Sequence, residues 1–160
     1  MINGVLFDKE VLAKLIKSTR RHAPIEAGGL LLGYRKNRYL HVIESTTPFQ
    51  WDRQSRIAFI RSSKAHRIRA LRLWRKSGKL VDWLGEWHSH PGFLATPSGI
   101  DYRNWKRITG HRKAPMVFPI CDGNDVNIWL QQSKKIKPIR LMQADQDEEG
   151  QLFKPIILKR

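Results

Sequence analysis

Two histidines, a serine and an aspartate lie close together in the stretch Gly85–Asp101, which reads GEWHSHPGFLATPSGID. His88 and His90 are two residues apart, so on an extended strand both side chains project from the same face, with their Cα atoms about 7 Å apart. Asp101 follows, three residues after Ser98. Two imidazoles, a carboxylate and a nearby hydroxyl are the groups of a hydrolytic zinc site that leaves its fourth position to water. The spacing therefore favours a metal site.

The same residues also have ordinary structural interpretations. A lone histidine is more often a packed or surface residue, which is how we interpret His22, His41, His66 and His111. Ser98-x-x-Asp101 is also a variant of the capping box, in which Ser98 caps a helix and Asp101 reaches back to it. Both roles can coexist, because an aspartate in the first helical turn is held toward the site. Glu86 shares the strand face of the histidines, so periodicity alone nominates it as general base, further ligand or a partner that orients an imidazole.

Three helices are expected around this stretch. Asp8 can cap the first, whose apolar residues repeat at helical spacing, and Pro24 ends it. The second, strongly basic, spans Ser62–Ser77 with Ser62 or Ser63 as its cap, and Leu73 falls off its apolar stripe. The third opens at residues 97–101 and runs to about Ile108. The stripe of the second helix consists of residues three apart: Ala65, Ile68, Leu71 and Trp74.

Strands are predicted where short apolar runs are bounded by turn residues. Segments 30–32 and 39–43, joined by Arg35-Lys36-Asn37, indicate a hairpin, and Leu80–His90 indicates a central strand. Thr46–Arg56 is expected to be a loop before a short strand at Ile57–Ile60. Further strands are predicted over 116–121, 126–131, 139–142 and 153–158. This order predicts one compact α/β domain over residues 1–160, with a mixed β-sheet flanked by helices.

Composition limits the class of protein. A chain of 160 residues can bury a core without disulfides, and its single cysteine, Cys121, excludes the paired-cysteine zinc ligation of nucleobase deaminases. The formal net charge of +16 favours acidic partners, whether nucleic acid, an acidic protein surface or anionic lipid, but no nucleic-acid-binding motif accompanies it. Neither a signal peptide nor a run of about twenty apolar residues is present, so we expect a cytoplasmic protein without a membrane partner.

Glu26, in PIEAGGLLLG, completes a longer pattern with the histidine stretch. An upstream Glu, then H-[ST]-H, seven residues, Ser, two residues and Asp resembles the signature of the JAMM (JAB or MPN) zinc metalloproteases, and the match is complete. The resemblance implies the JAB/MPN fold, of cytidine-deaminase-like architecture. It implies that His88, His90 and Asp101 hold Zn2+. It further implies that Glu26 takes a proton from water and delivers it to the leaving amine, while Ser98 donates a hydrogen bond to the oxyanion.

The resemblance also bears on the base and on the substrate. Composition alone makes Glu26 an ordinary exposed carboxylate, whereas the resemblance ranks it above Glu86. Members of the family cleave amide bonds after the C-terminal tail of ubiquitin or ubiquitin-like proteins. The short chain and the sequence GEWHSHP resemble the bacterial branch of the family. Part of that branch accompanies E1- and E2-like proteins in antiphage operons, including those that conjugate a nucleotide cyclase.

We therefore expect a zinc-dependent isopeptidase that acts on a ubiquitin-like or C-terminally conjugated protein, with E1- and E2-like proteins as further partners. Three alternatives stay open. The protein could be a processing peptidase for a sulfur-carrier protein, a small-molecule zinc hydrolase, or a basic module on the same fold that binds nucleic acid or an acidic protein.

Overall fold

The structure, a computed structural model, describes residues 1–47 and 63–157, with side chains of the second range described from residue 66 onward. None of the helices in these ranges is long and apolar enough to cross a membrane. The elements in chain order are β1 (Gly4–Asp8), α1 (Lys9–His22), β2 (Gly28–Lys36), β3 (Tyr39–Ser45), α2 (Ser63–Lys76), β4 (Asp82–Ser89), α3 (Gly99–Arg112), β5 (Met116–Cys121), β6 (Val126–Gln131), β7 (Ile139–Gln146) and β8 (Gly150–Pro155).

The strands form one mixed sheet in the order β1-β3-β2-β4-β5-β6-β7-β8, and β8 pairs with β1 to close it into a barrel. The pairs β1–β3 and β4–β5 are parallel, and the other pairs are antiparallel. The predicted α/β class with a mixed sheet is confirmed. Closure was not predicted, because it depends on β1, a five-residue strand whose inward residues Val5 and Phe7 directly precede a helical pattern.

The first helix ends where the sequence predicts, and the predicted hairpin is present, but Arg35 and Lys36 lie in strand β2 instead of in the turn. Helix α1 ends at His22, before Pro24, and β2 pairs antiparallel with β3. The cap differs from expectation: Asp8 precedes α1 but makes no side-chain capping bond, because its carboxylate lies 2.6 Å from Nε2 of His41. His41 therefore has a structural partner, as its ordinary interpretation implied.

The ends of helix α3 and of strand β7 differ from the prediction. Helix α3 continues through Gly110 to Arg112 instead of ending near Ile108, and β7 extends to Gln146. The predicted end of the last strand at 158, the loop beyond Thr47, the strand Ile57–Ile60 and the Ser62 cap lie outside the described residues.

The apolar stripe of helix α2 faces solvent, which the sequence pattern did not reveal. Ile68, Leu71 and Trp74 are 43%, 46% and 37% exposed. A spacing of exactly three winds around a helix of 3.6 residues per turn, so these residues cannot stay on one buried face. Residues separated alternately by four and by three positions do stay on one face. His66, Ala70 and Leu73 of α2 are spaced in this way and face the sheet.

Asp82, at the start of β4, ties helix α3 to the sheet. Its carboxylate accepts hydrogen bonds from Arg112 at 2.6 and 2.7 Å and from Nε of Arg35 at 2.9 Å. Burial raises the pKa of Asp82, but the hydrogen bonds from Arg112 and Arg35 outweigh burial and hold that pKa below its ordinary value. The ionised carboxylate therefore stabilises the folded protein at neutral pH.

We expect Asp82→Asn to lower the free energy of unfolding at pH 7 by about 1 to 3 kcal/mol, because two guanidinium groups lose a charged acceptor. The contribution of a carboxylate with a depressed pKa is complete above its unfolded pKa of about 3.9 and is lost as the pH falls through its folded pKa. The difference between the two proteins should therefore shrink below about pH 4. Urea unfolding at pH 7 and pH 3 measures it, with Glu148→Gln, at an exposed site, as the control. Equal stabilities at pH 7 would contradict this role of Asp82.

Candidate metal centre

Strand β4 carries the first histidine, His88, and lies between two other strands. Gly28 of β2 is opposite His88 on one side, and Ile120 of β5 is beside it on the other. Gly85 permits the close approach of β5, since a Cβ at that position would collide with the Val117 carbonyl. Glu86 and His88 are half-buried whereas Trp87 and Ser89 are buried, so the predicted alternation along the strand is confirmed.

The second histidine follows directly after the strand. The His90 backbone N–H donates to the Cys121 carbonyl at 2.8 Å, which continues the pairing of β4 with β5 to the second histidine. Trp87, for which core packing was predicted, is 1% exposed, and its Nε1–H donates to the Thr46 carbonyl at 2.8 Å. Strand β4 is therefore held by β2 and β5 along its two edges and by the buried Trp87 on the face opposite the histidines.

The side chains of His88, His90 and Asp101 converge. Nε2 of His88 lies 3.1 Å from Nε2 of His90 and 3.1 Å from Oδ1 of Asp101, and Nε2 of His90 lies 3.6 Å from Oδ2 of Asp101. Ligands held at 2.0–2.1 Å by a tetrahedral zinc ion lie about 3.3 to 3.4 Å from one another. The two imidazole nitrogens and the Asp101 carboxylate thus lie close enough together to hold a single ion.

Glu86 does not belong to this group. A metal site needs at least three His, Cys, Asp or Glu side chains whose ligand atoms lie close together. Among the described residues, His88, His90 and Asp101 form such a group, with ligand atoms within 4.8 Å of one another. Glu86 lies opposite Leu30, two residue pairs further from the end of the strand than His88. The structure therefore gives no support to Glu86 as a further ligand.

Hydrogen bonding and burial prepare His90 to bind a cation. Nδ1 of His90 lies 3.2 Å from the Leu94 carbonyl, so Nδ1 carries the proton and Nε2 presents its lone pair to the group. Burial, followed by the charge of His88, lowers the pKa of His90 below its ordinary value, although the Leu94 and Thr96 backbone and Asp101 oppose that shift. His90 is therefore neutral at pH 7, the state in which imidazole coordinates metals.

Asp101 is held by Ser98 through the predicted capping box, which the structure confirms. The Asp101 N–H donates to Oγ of Ser98 at 3.2 Å, and the Ser98 N–H donates to Oδ2 of Asp101 at 2.6 Å. The Ser98 hydroxyl also donates a hydrogen bond to Oδ2 of Asp101, at 2.9 Å. Burial raises the pKa of Asp101, but the hydrogen bond and charge of His88 and the bonds from Ser98 outweigh it and lower the pKa to about 2. The carboxylate is ionised at neutral pH, with Oδ1 directed at His88.

Glu26 is buried, with 7% of its surface exposed, so the expectation from composition that it is an exposed carboxylate is wrong. It lies two residues before Gly28, the partner of His88, and directly before Ala27, which bonds to Ser89. The two bonds between Ala27 and Ser89 continue the pairing of β2 with β4 by one residue, so Glu26 comes directly before the paired segment. The pairing of β2 with β4 thus brings Glu26 to the end of the sheet where the histidines lie.

Two further residues that support the site were not singled out from the sequence. Ser89 bonds to Ala27 across the two strands. The side-chain amide of Asn127 donates to the Ala95 carbonyl at 2.9 Å, which anchors the loop between His90 and Ser98. Ser89 occupies the serine-or-threonine position between the two histidines of the family signature, but the signature gave it no role, and Asn127 gave no sequence signal.

The sequence is similar to known protein sequences. Residues 8–136 match the family described as prokaryotic homologs of the JAB domain. The chain belongs to this family. Two similar proteins are each named CD-NTase/cGAS isopeptidase. The one from Pseudomonas aeruginosa is 36% identical over 77% of this chain and 85% of its own length, and the one from Escherichia coli is 32% identical over 84% of both.

A solved structure shows the same fold. The solution structure of a Desulfitobacterium hafniense protein superimposes with a TM-score of 0.63 over 88% of this chain and 89% of that protein. The sequence identity is 23%, so this likeness concerns the fold alone. The predicted JAB/MPN fold is confirmed, and membership of the JAB family supports a hydrolase.

Proposed function

We propose that this JAB-family protein is a zinc-dependent isopeptidase that hydrolyses the amide bond after the C-terminal tail of a conjugated protein. The observation that carries the proposal is the convergence of His88, His90 and Asp101, with ligand atoms 3.1 to 3.6 Å apart. Glu26 lies at the same end of the sheet. The substrate class follows from the names of the two bacterial relatives.

The donor set suits zinc. Neutral imidazole nitrogens and a carboxylate oxygen are its usual ligands in hydrolytic sites, and three protein ligands leave one position open. When bound, zinc would lower the pKa of a water molecule from about 15.7 to about 7 and would polarise the scissile carbonyl. The ionised Asp101 offsets half of the charge of the ion, and the His90–Leu94 bond keeps one ligand correctly oriented.

Glu26 and Ser98 supply the remaining chemistry in this proposal. Glu26 accepts the proton of the attacking water and delivers it to the leaving amine, a role worth roughly 10²–10⁴-fold in rate. Ser98 donates its hydroxyl to the developing oxyanion. That hydroxyl lies 2.9 Å from Oδ2 of Asp101, so it must rotate away during the reaction. Asp101 then keeps the backbone N–H bond from Ser98, and the ligand stays in place.

The substrate in this proposal is a conjugate of a CD-NTase, the nucleotidyltransferase in the names of the relatives, and E1- and E2-like proteins would form the conjugate in the cytoplasm. A direct test uses a bacterial CD-NTase fused through its C-terminus to green fluorescent protein. We expect cleavage at the junction, loss of cleavage with a chelator and recovery with added zinc. The matched control is the same fusion without the terminal tail of the CD-NTase. Cleavage that is unaffected by chelation would overturn the proposal, and cleavage restricted to a sulfur-carrier fusion would assign the processing alternative.

Zinc affinity is expected to decrease as the pH falls, because protons compete with the ion for the imidazoles. The depressed pKa of His90 displaces its protonation to lower pH, so its share of the loss begins below the ordinary histidine value of about 6.5. Competition with a chromophoric chelator at pH 7.5, 6.5 and 5.5 measures the affinity. We expect little change between the first two values and a fall of roughly tenfold or more at the third. A constant affinity over this range would argue against imidazole ligands.

The basic surface of helix α2 favours a second candidate, a module that binds nucleic acid or an acidic protein. The helix carries no acidic residue, and Arg67, Arg72 and Arg75 are exposed beside its outward apolar residues. Fluorescence anisotropy with labelled DNA and RNA from 50 to 200 mM salt tests this candidate. A linear, steep loss of affinity with salt, removed by changing the three arginines to glutamate, would support binding. Absence of binding at low salt would exclude the nucleic-acid version.

A further inference from the structure

Ser89 lies between the two histidines, with its side chain on the opposite, buried face of the strand. Its Oγ accepts a hydrogen bond from the Ala27 N–H at 2.8 Å, and its own N–H donates to the Ala27 carbonyl at 2.9 Å. Both Ser89 and Ala27 are fully buried. Ala27 is therefore held to β4 through both of its backbone polar groups, and one of the two bonds uses a side chain.

The hydroxyl replaces a backbone acceptor. In a regular antiparallel ladder, a hydrogen-bonded pair of residues exchanges two N–H···O=C bonds. Between Ala27 and Ser89 one of these is present, whereas the Ala27 N–H reaches the Ser89 hydroxyl instead of its carbonyl. The next N–H, that of His90, points to the other side of β4 and bonds to the Cys121 carbonyl of β5. A residue without a hydroxyl at position 89 would leave a buried N–H without this acceptor.

We propose that Ser89 is a positioning residue that sets the place of Glu26 relative to the metal ligands. This inference rests on the proposed function. Glu26 is joined to Ala27 by one peptide bond, so the backbone that Ser89 fixes is the backbone that carries the base. The same serine is joined to His88 and His90 by peptide bonds. One hydroxyl therefore couples the base to two ligands of the ion, and an error of about 1 Å in such a placement can cost roughly 10²-fold in rate.

The main test compares Ser89→Ala with the wild-type zinc-loaded protein on the CD-NTase–fluorescent protein fusion. We expect kcat to fall about 100-fold, with KM and zinc stoichiometry unchanged, because substrate and ion contact other residues. Ser45→Ala is the matched control: Ser45 is also buried, and its hydroxyl has no hydrogen-bond partner within the described chain. We expect wild-type kcat in that variant. A wild-type kcat in Ser89→Ala, or loss of zinc together with activity, would overturn the inference.

A double-mutant cycle separates positioning from a general structural effect. If Ser89 acts through Glu26, the variant Glu26→Gln/Ser89→Ala will be no slower than Glu26→Gln alone. Multiplied losses would show that Ser89 acts elsewhere. Ser89→Thr keeps the acceptor oxygen and is expected to retain kcat, so an equal loss in the Thr and Ala variants would also overturn the inference.

Hydrogen exchange provides a readout that does not depend on activity. In metal-free protein, Ser89→Ala should accelerate exchange of the Ala27 amide at least about tenfold, while the Leu31 amide, further along β2, is unchanged. Ser89→Thr should keep the slow rate, and unchanged Ala27 exchange in Ser89→Ala would overturn the inference. If the wild-type protein cleaves no conjugate while Ser89→Ala still accelerates exchange of the Ala27 amide, the proposed function is overturned instead. The two failures are therefore distinguishable.

Discussion

His88→Ala is expected to abolish zinc binding and cleavage together. Nε2 of His88 lies 3.1 Å from Nε2 of His90 and 3.1 Å from Oδ1 of Asp101. Removal of His88 leaves only His90 and Asp101 to bind the ion. Loss of a residue that merely orients a ligand costs 10- to 100-fold in metal affinity, so loss of a ligand itself should cost more than about 100-fold. Cleavage of the CD-NTase fusion should fall below detection, because the remaining groups cannot activate water at neutral pH.

Two measurements check this expectation: bound zinc by elemental analysis after dialysis, and the initial rate of cleavage. His111→Ala is the control, since His111 is an exposed histidine in the last turn of α3. Asp101→Ala is a less specific variant, because it also breaks the capping box and should cost about 1 kcal/mol of stability by that route. Full zinc occupancy in His88→Ala would rule out this metal centre.

Local features of the site could be predicted from the sequence because local geometry fixes them. Alternation along a strand places His88 and His90 on one face whatever the rest of the chain does. The interval of three residues between Ser98 and Asp101 is that of a helical first turn, and the capping box is observed. The three grouped side chains lie on strand β4, directly after it and in the first turn of α3, so only the approach of the strand and the helix depended on the fold.

Features that depend on long-range pairing could not be predicted in this way. Glu26 is more than sixty positions from the histidines, and only the register between β2 and β4 brings it to the same end of the sheet. Composition made it an exposed residue, and the resemblance to a known family was needed to select it over Glu86. The orientation of α2 is a similar case, because a spacing of three does not say which side of a helix meets the sheet.

The choice between the two glutamates leads to the second large effect. Glu26→Gln is expected to reduce kcat by roughly 10²–10⁴-fold, because the amide matches the carboxylate in shape but cannot accept the proton of water or return it to the leaving amine. Zinc stoichiometry should stay at the wild-type value, since Glu26 is not one of the three grouped ligands. KM should also change little, since the lost interaction acts in the transition state.

Glu86→Gln is the matched control, because the same chemical change is made on the same side of the site, two residues before His88. We expect its kcat to stay within about tenfold of the wild type, well short of the effect of removing a general base. Both variants are measured with the same fusion and the same zinc content, so that differences in metal loading do not enter the comparison. A large loss in Glu86→Gln with full activity in Glu26→Gln would transfer the role of base to strand β4. Full activity in both would show that neither carboxylate moves the proton.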